Sequence, residues 1–128
     1  MEKSKKHILI VEDEKALSHA LNIKLQQEGY TVTIASDGEE ALQKVESHPY
    51  DLILLDIIMP RMDGITLLEF LKKGSKPSAL IPVIVFSNLS QKEEMERAKV
   101  LGATEYLVKA NTPFPKILRV IKLILSAE

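Results

Sequence analysis

The run Leu52-Ile53-Leu54-Leu55-Asp56 ends four consecutive aliphatic residues in a carboxylate, and the chain turns at once through Ile57-Ile58-Met59-Pro60. Continuous aliphatic runs of this length read as strands buried on both faces, the pattern of a parallel sheet. An open α/β sheet gathers its chemistry at the carboxyl ends of its strands. Asp56 therefore stands where a functional carboxylate belongs. A second run, Ile8-Leu9-Ile10-Val11, also ends in acids, Glu12, Asp13 and Glu14. If the two strands are neighbours, their carboxylates converge, and such a cluster repels itself unless a proton or a cation neutralises it.

Working outward, five short apolar runs alternate with five stretches of helical period. The strands are expected at residues 8–11, 31–35, 52–55, 83–86 and 106–108, with the second and last weaker and suited to the sheet edges. Leu17, Ala20, Leu21 and Leu25 form a helical stripe that stops at Gly29, a left-handed cap. Ser36 with Glu39 reads as a capping box, opening a helix through Ala41, Leu42 and Val45. Asp63-Gly64 opens a third helix, carrying Leu67, Leu68 and Leu71 and stopping at Gly74. Ser90 with Glu93 reads as a second box, for a helix ending at Gly102. Thr112 precedes Pro113 and Pro115 at the start of the last helix, where proline is tolerated. That helix buries Ile117, Leu118, Ile121, Ile124 and Leu125. Short loops and right-handed crossovers then favour a doubly wound α/β sandwich of three layers. Its sheet is expected to be five-stranded, parallel and of order 2-1-3-4-5, as in flavodoxin-like folds.

A chain of 128 residues, 45% of them hydrophobic, is long enough for one domain with a proper core, expected over residues 1–128. Lys3, Lys5 and Lys6 fall in residues 1–6, read as a flexible, solvated tail. The formal net charge of −1 gives no reason to expect nucleic acid or an anionic membrane. With no cysteine, disulfides and thiolate chemistry are excluded. The opening residues lack a signal-peptide core, and no apolar stretch reaches the roughly 18 residues of a membrane span. The expected location is cytoplasmic.

In this layout all strand ends open on one rim. The first brings Glu12 and Asp13, the third Asp56, the fourth Ser87 and the fifth Lys109; Ser36 and Asp37 on the second are better explained as helix caps. Asp13 and Asp56 supply hard oxygen ligands, with Glu12 acting directly or through water. Such a set suits Mg²⁺, or Mn²⁺, with positions left for substrate phosphate oxygens. Lys109 would neutralise a phosphoryl group from the other side, and Ser87 offers it a hydroxyl. A carboxylate so surrounded can attack phosphorus and form an aspartyl phosphate.

The chain resembles a response-regulator receiver domain, the phosphoacceptor half of two-component signalling. The matching residues are Glu12-Asp13, Asp56 with Met59-Pro60-Arg61-Met62-Asp63-Gly64 behind it, Ser87, Leu101-Gly102-Ala103, and Lys109 after Glu105-Tyr106-Leu107-Val108. The likeness runs from His7 to about Ser126. It implies that a sensor histidine kinase or phosphotransfer protein phosphorylates Asp56. It implies Mg²⁺ held by Asp13, Asp56 and the backbone carbonyl of Ile58, with Lys109 and Ser87 on the phosphoryl group. Ser87 and Tyr106 would be the switch pair, altering a surface of the fourth helix, fifth strand and fifth helix for an effector that the sequence does not name. Such a protein is a stand-alone phosphoacceptor rather than a turnover enzyme, although it catalyses its own phosphorylation and, slowly, its dephosphorylation. It is expected to be a monomer or a phosphorylation-dependent homodimer.

Three positions depart from the family pattern. Ala110 follows Lys109, where the family usually has proline in a cis peptide. A cis bond before alanine costs about 2.5–4 kcal/mol; either packing supports it, or the bond is trans and the lysine placed differently. Ile58 and Leu89 are apolar beside the expected phosphoryl group, and neither can position an attacking water. Other residues have plainer readings: Arg61 and Asp63 as turn and cap, Met59 and Met62 as loop packing, and His7, His19 and His48 as scattered histidines that form no metal set. On the last helix, Val120 and Leu123 lie off the core stripe among Lys116, Arg119 and Lys122. They either widen the buried face or form an exposed apolar strip. The rival readings are a phosphorylation-independent interaction module and an aspartyl-phosphate phosphatase. The latter family's second acid is missing from Asp56-Ile57-Ile58. A flavodoxin-like cofactor protein is disfavoured by the acidic, glycine-free loop after Val11.

Overall fold

The computed structural model describes residues 5–59 and 61–126. Strands β1 (His7–Val11), β2 (Thr31–Ala35), β3 (Leu52–Leu55), β4 (Val83–Ser87) and β5 (Glu105–Val108) alternate with helices α1 (Lys15–Gln27), α2 (Gly38–Ser47), α3 (Gly64–Lys72), α4 (Lys92–Val100) and α5 (Phe114–Ser126). Short 3-10 turns at Pro77–Leu80 and Lys109–Asn111 complete the chain. All strand pairs are parallel, in the order β2-β1-β3-β4-β5. This is the expected flavodoxin-like order, and the expected edge strands are the edges.

Alternate strand residues point to opposite faces. Leu9, Val11, Ile53, Leu55, Val83 and Val85 pack with Ala41, Leu67, Leu68, Leu71 and Ala98, so α2, α3 and α4 cover one face. Ile8, Ile10, Leu52, Leu54, Ile84 and Phe86 pack with Leu21, Leu25, Ile117, Ile121 and Leu125, so α1 and α5 cover the other. Each Val, Leu, Ile or Phe side chain so removed from water contributes about 1.5–3 kcal/mol, and a slip of one residue in register would exchange the two faces. Register thereby fixes the rim. Val11 pairs with Leu55, so Glu12 and Asp56 leave the sheet side by side, the Asp56 N–H donating to the Val11 carbonyl at 3.0 Å.

Four local expectations need correction. The α2 box is Asp37 with Glu40, one residue beyond Ser36 and Glu39: Asp37 Oδ1 accepts from the Glu40 N–H at 2.8 Å, and Glu40 Oε1 from the Ser36 N–H. The first helical residue, Gly38, packs tightly against the loop after β3: a Cβ there would lie 2.4 Å from the Met62 carbonyl oxygen. At α4 the N-cap is Gln91, with no side-chain cap, and Glu93 and Glu94 in the first turn complement the helix dipole instead. On α5, Leu118 and Ile124 are half-buried, and Val120 packs on the core beside them, leaving only Leu123 exposed, at 65%. The face has widened, and no apolar strip remains. Lys6 is not free tail, since its carbonyl accepts from the Thr31 N–H at 2.9 Å; residues 1–4, with Lys3, lie outside the described residues.

Candidate functional site

The acid pair and Asp56 are brought together as the adjacent strand ends require. One carboxylate oxygen from each of Glu12, Asp13 and Asp56 can be chosen so that all three lie within 4.8 Å of one another. Glu12 and Asp56 are buried and Asp13 exposed, so the cluster has an open side toward solvent. Hard oxygen donors at this spacing, one of them wet, fit a small divalent cation that keeps some of its water.

Lys109 supplies the positive charge. Its ammonium lies 2.8 Å from Glu12 Oε1 and 2.9 Å from Asp56 Oδ2, and 5.9 Å from the centroid of the Phe86 ring. Burial alone would pull the Lys109 pKa down, but the bonds and charges of Glu12 and Asp56 outweigh it and raise it. Burial likewise pushes the Glu12 carboxyl above its ordinary value; Lys109 and the Glu14 N–H oppose this, and the Asp56 charge adds to it. The other Asp56 oxygen, Oδ1, accepts from the Ile58 N–H at 3.2 Å. The Lys109–Ala110 bond is trans, for there is no cis peptide among the described residues, and the lysine still reaches the acids.

Ser87 ends β4, wholly buried, and Tyr106 lies on the adjoining β5. They meet on one residue. Ser87 Oγ accepts from the Leu89 N–H at 3.2 Å, and the Tyr106 hydroxyl donates to the Leu89 carbonyl at 2.5 Å. Burial raises the Tyr106 pKa, with Glu94 and Asp56 adding to it. The Leu89 side chain packs against the cluster under α2, α3 and α4, and it lines a groove of about 330 Å³ with Ile57, Ile65 and Arg97. Ile58 is 57% exposed.

The loop after Asp56 has its own supports. Gly64 is needed where a Cβ would sit 2.5 Å from both the Asp56 carbonyl oxygen and Ile57 Cα. Arg61 adopts φ 66°, left-handed backbone that costs a non-glycine residue about 1–2 kcal/mol. Its Nε and Nη2 both donate to Asp37 Oδ2, at 2.9 and 2.7 Å. The Glu40 N–H and then Arg61 hold the Asp37 carboxyl below its usual range. Arg61 and Asp63 are thus turn and cap, as expected, and Arg61 in addition clamps Asp37; Asp63 Oδ1 accepts from the Thr66 N–H at 2.8 Å. Pro60 lies outside the described residues. The Asp37–Arg61 pair was not legible from spacing alone, because neither residue carries a motif that points to the other.

The family model for the response regulator receiver domain matches residues 8–122. The alkaline phosphatase synthesis transcriptional regulatory protein PhoP of Bacillus subtilis is 36% identical over 108 residues, which are 84% of this chain and 44% of that protein. The chain thus spans less than half the length of this relative. A CheY-like response regulator receiver domain protein of Methanospirillum hungatei is 32% identical, with a TM-score of 0.90 over 97% of this chain and 96% of that one. The response regulator TrrA of Thermotoga maritima, solved in complex with Mg²⁺-BeF, is 33% identical, with a TM-score of 0.81 over 93% of this chain and 98% of that one.

Proposed function

Because the chain belongs to the response regulator receiver domains of two-component systems, we propose that Asp56 is its phosphoacceptor, modified by a sensor histidine kinase or phosphotransfer protein. The observation that carries this reading is the Lys109 ammonium held on Asp56 inside the three-carboxylate cluster. An Asp56 oxygen attacks phosphorus, a P–O bond forms, the P–N bond to the donor histidine breaks, and the imidazole leaves with a proton from solvent. Lys109 neutralises charge on the transferred group, and Ser87 offers it a hydroxyl. Glu12, Asp13 and Asp56, with the Ile58 carbonyl, would hold Mg²⁺ or Mn²⁺, which supplies charge neutralisation to phosphate oxygens. The Mg²⁺-BeF bound by the Thermotoga relative supports this assignment.

Signalling follows from the bonds that Ser87 and Tyr106 make. A Ser87 hydroxyl drawn to a phosphoryl group releases the Leu89 N–H, and with it the Tyr106 contact, so the surface of α4, β5 and α5 shifts population toward a form an effector reads. The protein is a switch and not a turnover enzyme. In the test, wild type and Asp56→Asn are incubated with acetyl phosphate and Mg²⁺ and weighed intact. Wild type gains one phosphoryl mass and the variant none, while Asp13→Ala needs far more Mg²⁺. No gain in wild type would leave the phosphorylation-independent interaction module as the better reading.

A further inference from the structure

With alanine after it, the Lys109 loop is held by side chains from both flanks. The Ala110 N–H donates to Asn88 Oδ1 at 2.9 Å, across 22 residues of sequence. From the α5 side, the buried Thr112 donates its hydroxyl to the Val108 carbonyl at 2.8 Å, and its N–H to the Lys109 carbonyl at 3.3 Å. Residues 108, 109 and 110 are therefore each tied by a hydrogen bond, and the lysine between them has little freedom to leave the acids.

The tie from Asn88 has a second effect. Asn88 stands between Ser87, whose Oγ accepts from the Leu89 N–H, and Leu89, whose carbonyl accepts from Tyr106. Its amide oxygen thus joins the loop after β4 to the loop after β5. A proline at 110 would have no N–H to give, so this bond depends on a residue other than proline at this position.

We infer that Asn88 and Thr112 are positioning residues for Lys109, and that the Asn88–Ala110 bond couples Lys109 to the segment carrying Ser87. This rests on reading Asp56 as the phosphoacceptor. The side-chain bonds of both run to the main chain of the lysine loop, through which they act. Asn88 and Ala110 are exposed, so breaking their bond leaves the core intact.

The test is a mutant cycle on the full chain with acetyl phosphate and saturating Mg²⁺. Asn88→Ala slows phosphorylation roughly three- to ten-fold, the range one lost hydrogen bond supports. Thr112→Val slows it at least as much. Mg²⁺ affinity stays as in wild type, since no metal-facing carboxylate is touched. Whatever Ala110→Pro does to the rate by itself, Asn88→Ala has no further effect in that background. The Lys109 side-chain NMR resonance, followed without phosphodonor, shifts in Asn88→Ala. An unchanged resonance, or an Asn88→Ala effect that persists in the Ala110→Pro background, overturns the inference. If wild type itself takes no phosphoryl group, the phosphoacceptor reading falls, and the Lys109 resonance still decides the clasp.

Discussion

Lys109 Nζ stands 2.9 Å from Asp56 Oδ2 and is shared with Glu12 at 2.8 Å, so one cation serves two buried anions. The resting cluster of three carboxylates and one ammonium is short of positive charge. That deficit makes the site receptive to a divalent ion, and it makes the lysine a structural as well as a chemical part.

Lys109→Met keeps the stem and removes the charge. Without added metal the variant is expected to lose about 1–3 kcal/mol, the cost of leaving a charged partner unsatisfied, placed low because the site is partly wet. Saturating Mg²⁺ narrows the gap, and the rate of phosphorylation drops more than ten-fold. Urea unfolding with and without Mg²⁺ is the measurement; equal midpoints for variant and wild type in chelator would show that the ammonium contributes nothing to the resting fold.

Glu12 gives a pH signature. Its folded-state pKa lies above the unfolded value, so the folded chain holds that proton more tightly. This contribution is fully present below the unfolded pKa of about 4.3 and is lost as pH rises through the folded value. Glu12→Gln keeps the neutral form at every pH. In metal-free buffer its stability relative to wild type is therefore expected to grow from about pH 4.5 to pH 7. A difference that stays flat or shrinks over that window would falsify the assignment of burial as the dominant influence on Glu12.

Gly64→Ala tests the support beneath Asp56. The new Cβ would overlap backbone atoms at 2.5 Å, and backbone cannot swing aside as a flexible side chain can. Destabilisation at the upper end of the overpacking range, about 3 kcal/mol, is expected, together with slower phosphorylation as the Asp56 strand end is displaced. Wild-type thermal stability and rate in this variant would mean that the loop closes in another way.

On the phosphoacceptor reading, the lifetime of the phosphorylated state is expected to turn on Ile58, which is exposed beside Asp56 and cannot hydrogen-bond a water in line with the phosphorus–oxygen bond. A long-lived state is expected, and Ile58→Asn speeds hydrolysis several-fold by the loss of that exclusion. Decay followed by intact mass after the phosphodonor is removed decides it; slower loss in Ile58→Asn than in wild type counts against the idea. Leu89→Glu is the less direct probe, because Leu89 is packed into a core cluster and its replacement also burdens the fold.

The rim residues Glu12, Asp13, Asp56, Ser87 and Lys109 were legible in sequence because each follows an aliphatic run, and a parallel sheet sends all such ends to one edge. The supports were not. Whether Ser36 or Asp37 caps α2 differs by one residue, and both are residue types that cap helices, while the close approach of Gly38 to Met62 joins segments far apart in the chain. The Asn88–Ala110 bond spans two loops, and Asp37–Arg61 joins the end of β2 to the loop after β3. Local pattern carries no sign of either. Val120 also shows the limit of a helical stripe: two neighbouring positions at its margin divide between core and solvent according to how closely α5 seats on the sheet.

Leu89 is gripped at both of its main-chain polar groups, its N–H by Ser87 and its carbonyl by Tyr106, and neither bond reads its side chain. Timing and message can therefore be adjusted separately. On the phosphoacceptor reading, exchanging what stands at the exposed position 58 resets how long the mark endures, while the main-chain lever at Leu89 keeps its shape. A signalling circuit could be retuned from a brief pulse to a long memory without rewriting the surface its listener recognises.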